Sequence, residues 1–212
     1  MNNLEKESIK QFNSWAKDFD KKHFVPFYLS NKALLKIINP PIEASILDIG
    51  CGTGKYLKIL QAGSFKTDGI DSSETAVKMT KKALGNNSKI VCVNMFEFEI
   101  PKNKYDLVIS ISTIHHGTKE QVQNLINRIH EAVIKNGKVF ITVPDLESAL
   151  KNEYLKEDQD LGNGTYAPVS GPEKGLPHSH YKKEEVQKLF SKFRDIKLEL
   201  DEIGRWITQA TK

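Results

Sequence analysis

The sequence predicts an α/β fold built on a mostly parallel sheet, and three observations carry that prediction. Short apolar runs alternate with amphipathic stretches from residue 45 onward, and the first run ends in a cluster of glycines. The composition, 39% hydrophobic and 27% charged over 212 residues, suits one soluble domain with a continuous core. Strands are read at SILDIG (45–50), KTDGID (66–71), KIVCVNM (89–95), DLVISIS (106–112) and KVFITVP (138–144). Helices intervene, so neighbouring strands must run parallel with helices on both faces, a doubly wound arrangement. Two further runs, DIKLELDEI (195–203) and RWITQATK (205–212), bring the sheet to seven strands and read as an antiparallel C-terminal pair.

Each connecting helix has its own local signal. The first starts at about Gly54, the second is SETAVKMTKKAL (73–84), and the third is TKEQVQNLINRIHEAVI (118–134). Thr118 with Gln121 forms a capping box for the third helix, which presents Val122, Leu125, Ile126, Ile129 and Val133 to the core, and Asn136-Gly137 marks its end. KKEEVQKLFSKF (182–193) is the last helix. Before the strands begin, Ile9, Phe12, Trp15, Ala16 and Phe19 recur at helical spacing, and a second helical stretch, SNKALLKII, stops at Pro40 and Pro41. The expected organisation is therefore a single domain: an N-terminal helical cap (1–41), a core (42–144), an irregular segment (145–181) and a C-terminal helix with strands (182–212). The irregular segment carries Gly162, Gly164, Gly171, Gly175 and three prolines, and loops of that length inside a domain are usually functional or disordered.

Charge and cysteine content exclude several classes. The formal charge of +4 comes from scattered basic residues, and arginine occurs only at Arg128, Arg194 and Arg205, so no nucleic-acid-binding patch stands out. No apolar run approaches the roughly 20 residues of a membrane span, and the N-terminus is too polar for a secretory signal, so a cytoplasmic protein is expected. Cys51 and Cys92 give neither a disulfide framework nor a zinc motif.

The glycine cluster lies in ILDIGCGTGKY (46–56). A phosphate-binding Walker loop needs four residues between its first glycine and Gly-Lys-Ser/Thr; that spacing is missing and Tyr56 stands where the hydroxyl belongs. The dinucleotide fingerprint fails too, because the third glycine, Gly54, comes one residue early and Lys55 occupies its place. What remains is D-x-G-x-G-x-G, and here the sequence resembles the class I S-adenosylmethionine-dependent methyltransferases. LDIGCGTG resembles their first motif, and the likeness continues through GIDSS, VNMFEF, KYDLVISISTIHH and IKNGKVFITVP, covering about residues 46–144.

The resemblance implies a Rossmann-like fold, S-adenosylmethionine as methyl donor and S-adenosylhomocysteine as product. It implies cofactor contacts from Asp48, Gly50, Cys51, Gly52, Asp71, Ser72, Asn94, Met95 and Ser110. Asp71, at the end of the second strand, would accept the ribose hydroxyls, with a helix cap formed with Ser72 as the plain alternative. Asp48 would hold the methionine ammonium, Asn94 and the Met95 backbone the adenine, and the Ser110 carbonyl the ammonium. Asn94 stands where the family often has aspartate. Trp15 and Phe19 match an aromatic helix that covers the cleft in many relatives.

Methyl transfer from a sulfonium is an in-line displacement in which positioning supplies about 7–11 kcal/mol, so a general base is optional. The candidates are His115, His116, Asp145, His178, His180 and Tyr181; Asp145 also lies in the segment expected to form the substrate lid. His178-x-His180 has a metal-like spacing, but no third ligand is evident in the sequence, so no metal is expected. The expected acceptor is a small molecule. The competing readings are a transfer RNA wobble uridine, which ISISTIHH and CGTGKYL also resemble, and a non-catalytic module that binds S-adenosylmethionine and regulates a partner.

Overall fold

The computed structural model describes residue 6 and residues 43–171 and 173–212. The predicted N-terminal helices, with Trp15, Phe19, Pro40 and Pro41, lie outside the described residues.

Seven strands form one sheet. β1 (Ser45–Ile49), β2 (Lys66–Asp71), β3 (Ser88–Cys92), β4 (Tyr105–Ser110) and β5 (Val133–Pro144) are parallel, in the order β3-β2-β1-β4-β5. β10 (Arg205–Thr211) pairs antiparallel with β5, and β9 (Arg194–Leu200) lies outside it. The order reverses direction at β1, and its two neighbours leave a crevice beyond their carboxyl ends where α/β sheets bind ligands.

Alternate side chains of the parallel strands serve the two faces. Ile46, Leu107, Ile109 and Phe140 pack toward α1 (Lys55–Ala62) and α2 (Glu74–Leu84), while Leu47, Val108, Val139 and Ile141 pack toward α3 (Lys119–Ala132) and a later helix, Lys183–Leu189. Burial on both faces is why these strands read as near-continuous apolar runs. Side-chain caps start two of these helices. Ser73 accepts from Ala76 N at 3.1 Å to start α2, with Glu74 in its first turn and Lys81 and Lys82 in its last, complementing the helix dipole. The Thr118–Gln121 capping box is present at α3.

Four boundaries differ from expectation. α3 stops at Ala132, before Asn136-Gly137, because Val133 turns extended and joins β5. β3 ends at Cys92, since Asn94 Oδ1 accepts from Phe96 N at 2.9 Å and folds the chain into a turn. The last helix ends at Leu189, where Phe190 and Phe193 leave helical order to bury in the core. The segment 145–181 is irregular only in part: between its turns and loops it forms α4 (Leu146–Lys151) and a small antiparallel sheet of β6 (Gln159–Asp160), β7 (Thr165–Ala167) and β8 (His178–Ser179). Its glycines at positive φ, among them Gly162 and Gly164, make the turns between these short strands. The helix Lys183–Leu189 follows as α5.

Candidate active site

The first half of the site is built from backbone between β1 and α1. Gly50 and Cys51 both donate to Ile70 O, at 2.8 and 3.0 Å, which fastens the loop to the end of β2. Gly50 has φ +77, and a Cβ there would lie 2.1 Å from Thr113 Cγ2, so the close approach of the β1 and β4 ends requires glycine. Gly52 differs in kind. Its φ is +51, yet a Cβ would meet nothing within 4 Å, so it faces open space. Thr80, reaching from α2, donates to Gly52 O at 2.7 Å and holds the loop from behind.

Two carboxylates flank this loop. Asp71 Oδ2 accepts from Gly52 N at 2.9 Å and Oδ1 from Ser73 N at 2.8 Å, and the carboxylate keeps lone pairs for further donors. The helix cap is Ser73, so neither Asp71 nor the exposed Ser72 is needed to terminate α2. Burial raises the Asp71 pKa, while its backbone donors oppose the rise. Asp48, 2% exposed on β1, is pushed up to about 8, first by burial and then by the Asp71 charge. Such a pair favours a cation between its members. Cys51 is buried and its thiol is held well above its usual range by burial and by both aspartates; Cys92 is exposed.

On the far side of the crevice, the turn after β3 carries Asn94 and Met95. Arg128 of α3 latches it, donating to Phe98 O at 2.7 Å, Phe96 O at 3.1 Å and Met95 O at 3.2 Å. Sequence reading offered no signal for this role beyond the scarcity of arginine. Ser110 is fully buried, and its hydroxyl donates to Ile49 O at 2.9 Å, joining the ends of β4 and β1.

The second half is assembled from distant segments. His115 and His116 follow β4, and β8 crosses over them: Ser179 N donates to His115 O at 2.9 Å and Ser179 Oγ to Gly117 O at 2.6 Å. The rings of His115, His116 and His178 cluster, with centroids 4.3 Å apart for His115 and His116 and 4.7 Å for His116 and His178. Burial, reinforced by neighbouring cations, pushes His116 down to about 4 and His178 to about 3, so both are neutral near pH 7. Arg205, at the start of β10, donates to Ser112 Oγ at 2.7 Å beside them, and Ser112 has φ +55, a strained value for a residue with a side chain.

The remaining sequence candidates are not gathered there. His180 turns its ring onto Tyr166, 5.8 Å away and edge-on, with Nδ1 on His178 O. Tyr181 is buried in the main core beneath Lys119. Asp145 is 3% exposed and both its oxygens are engaged: Oδ2 accepts from Ser148 N and Oγ at 2.8 and 2.6 Å, and Oδ1 accepts from Trp206 Nε1 at 2.9 Å. Its carboxylate caps α4 and ties it to β10.

Comparison with known proteins agrees with this architecture. Residues 46–137 match the family model for a methyltransferase domain. A methyltransferase of Bacillus licheniformis without an assigned activity is 26% identical over 194 residues, covering 83% of this chain and 90% of its own. A tRNA (carboxymethyluridine(34)-5-O)-methyltransferase of Schizosaccharomyces pombe is 27% identical over 166 residues, covering 77% of this chain and 68% of its own. Among solved structures, the 1,6-didemethyltoxoflavin-N1-methyltransferase of Burkholderia thailandensis, with bound 1,6-didemethyltoxoflavin and S-adenosylhomocysteine, superposes with a TM-score of 0.69 at 15% identity. That superposition covers 100% of this chain and 91% of that one. The strand order and the D-x-G-x-G-x-G loop agree with that match: residues 46–137 carry the core of a class I S-adenosylmethionine-dependent methyltransferase domain, whose methyl donor is S-adenosylmethionine. No helix among the described residues is long and apolar enough to cross a membrane.

Proposed function

We propose that this protein transfers a methyl group from S-adenosylmethionine to a small-molecule acceptor by in-line displacement, working as one domain with the cofactor against the β1–β2 edge and the acceptor beneath β8. The donor fits the residues present. Gly52 offers open backbone, Asp71 has lone pairs for two ribose hydroxyls, and the Asp48–Asp71 pair favours the positively charged methionine end. Asn94 and Met95 hold the adenine edge on the turn that Arg128 latches. The Ser110 carbonyl joins Asp48 at the ammonium. Bound S-adenosylmethionine supplies an electrophilic methyl group, and the chain's own task is to orient the acceptor and exclude water.

The observation that carries the small-molecule reading is the roof over the acceptor end. His115 and His178 are 7–8% exposed where β8 crosses the turn after β4, which withdraws them from the surface a folded RNA would touch. Arg205 beside this cluster suits an acceptor with a carboxylate or other anionic oxygen. The Schizosaccharomyces pombe relative supports the second reading, a transfer RNA acceptor.

Labelled methyl transfer decides between them. Small carboxylates and bulk tRNA are offered in parallel as acceptors, and label in a small product supports the proposal. Label in tRNA, with retention that falls steeply as salt rises, overturns it in favour of RNA. Tight S-adenosylhomocysteine binding with no turnover on any acceptor, including a partner protein, would point to a regulatory module instead.

A further inference from the structure

We propose that His116, His178 and Glu173 form a binding site for a divalent first-row transition metal at the acceptor end of the crevice. Their candidate ligand atoms, two imidazole nitrogens and a carboxylate oxygen, lie within 4.8 Å of one another. They come from three separate places: His116 from the turn after β4, Glu173 from the connection between β7 and β8, and His178 from β8. Glu173 spans the two rings, with Oε1 3.6 Å from His116 Nε2 and Oε2 3.6 Å from His178 Nε2. Donors about 2.0–2.2 Å from a tetrahedral zinc ion sit roughly 3.3–3.6 Å apart, so each imidazole nitrogen already stands at about that spacing from one of the two carboxylate oxygens.

A second observation, independent of the clustering, points to a ligand. His178 is 8% exposed, and its Nε2 is buried without a hydrogen-bond partner, because the facing Glu173 oxygen stands just beyond hydrogen-bonding reach. A buried imidazole nitrogen left this way is costly, and a metal ion would satisfy it together with His116 and Glu173.

The surroundings define the kind of ion. Two imidazoles and one carboxylate suit zinc, cobalt or iron in the divalent state rather than calcium or magnesium, which prefer oxygen alone. Arg205 faces the cluster and opposes a cation, and the Glu173 charge is what offsets it. Three protein ligands leave a coordination position open, where an acceptor oxygen would be oriented. That use rests on the methyltransferase reading; the binding of the ion does not.

The test uses tag-free, chelator-treated full-length protein. Zinc is titrated by calorimetry, and cobalt is titrated by visible absorption, which reports low-coordinate nitrogen and oxygen ligation. The proposal expects one equivalent bound at micromolar affinity, a cobalt absorption band, and a loss of at least tenfold in affinity for Glu173→Gln. His178→Gln should abolish the band. S-adenosylhomocysteine binding, measured on the same samples, shows whether each variant has folded. Absence of stoichiometric binding below about 100 μM in protein that binds S-adenosylhomocysteine overturns the metal site and leaves the methyltransferase reading intact. Affinity unchanged in Glu173→Gln also overturns it. Zinc bound through these residues without any S-adenosylhomocysteine binding would sink the methyltransferase reading instead.

Discussion

The two halves of the crevice are made in different ways. The half proposed for the cofactor is centred on eleven consecutive residues, 46–56, joined by Asp71 from the next strand, the turn at Asn94 and Met95, and Ser110, and its centre works through backbone geometry: positive φ at Gly50, Gly52 and Gly54, two loop amides on Ile70 O, and the amide of Gly52 on Asp71. The half proposed for the acceptor is side chains from three stretches far apart in the chain: His115 and His116, Glu173 with His178, and Arg205. Backbone-made sites leave a readable spacing, because glycine is the residue those φ values and close approaches demand. Side-chain sites of the second kind leave almost none. The contrast also predicts that the two halves fail separately.

The largest effect is expected at Gly50. Gly50→Ala combines positive-φ strain with a Cβ 2.1 Å from Thr113, for a combined cost of roughly 2–5 kcal/mol. The thermal midpoint should drop by about 5–15 °C. Adding Thr113→Gly should restore only the steric share, which a double-mutant cycle measures. By contrast Gly52→Ala, with nothing within 4 Å of the new Cβ, should leave the midpoint within a few degrees while weakening S-adenosylhomocysteine binding about tenfold. Equal thermal losses at the two glycines would erase the distinction between a structural and a ligand-facing glycine.

Next in size is Asp71→Ala, which should weaken cofactor binding about tenfold to a hundredfold, the range of a hydrogen bond to a charged group. Calorimetry measures it directly, and unchanged affinity would remove Asp71 from the ribose.

Asp48 predicts a pH signature. Its folded pKa, raised from 3.8 to about 8, means the folded state keeps a proton that the unfolded state has lost between those values. Stability of the cofactor-free protein therefore falls as pH rises through that window and levels off above about 8. Asp48→Asn should flatten the fall, so that its thermal midpoint gains on the parent protein as pH rises from 5 to 8. At pH 7, binding of S-adenosylhomocysteine to the parent should release protons, visible as a dependence of the calorimetric heat on the ionisation enthalpy of the buffer. Parallel pH profiles for the two proteins would show that Asp48 does not carry the shift.

The smallest effect is expected on the acceptor side. Ser179→Ala removes the 2.6 Å bond to Gly117 O and should cost about 1–2 kcal/mol locally. Hydrogen exchange should quicken over residues 159–180, with S-adenosylhomocysteine affinity unchanged. A matching loss of affinity would mean that the halves are coupled.

The sequence by itself determined the sheet, the helices on both faces and the cofactor loop. Period and capping are local properties: Thr118 and Gln121 name the start of α3, and Gly50, Gly52 and Asp71 sit at spacings that only a few loops satisfy. It marked His115, His116 and His178 without saying that they meet, and it offered His180 as the metal-like partner of His178 although that ring turns onto Tyr166. It named Asp145 and Tyr181 as chemical candidates, whereas the fold buries one as a cap and the other in the core. Glu173, Arg128 and Arg205 carried no pattern of their own. Their positions were decided by tertiary structure alone: Arg205 reaches the carboxyl edge because β10 runs antiparallel to β5, and Glu173 reaches the histidines because β8 is tied to the turn after β4. Local rules act over a few residues, while contacts between residues 116, 173, 178 and 205 exist only once the sheet has closed its order.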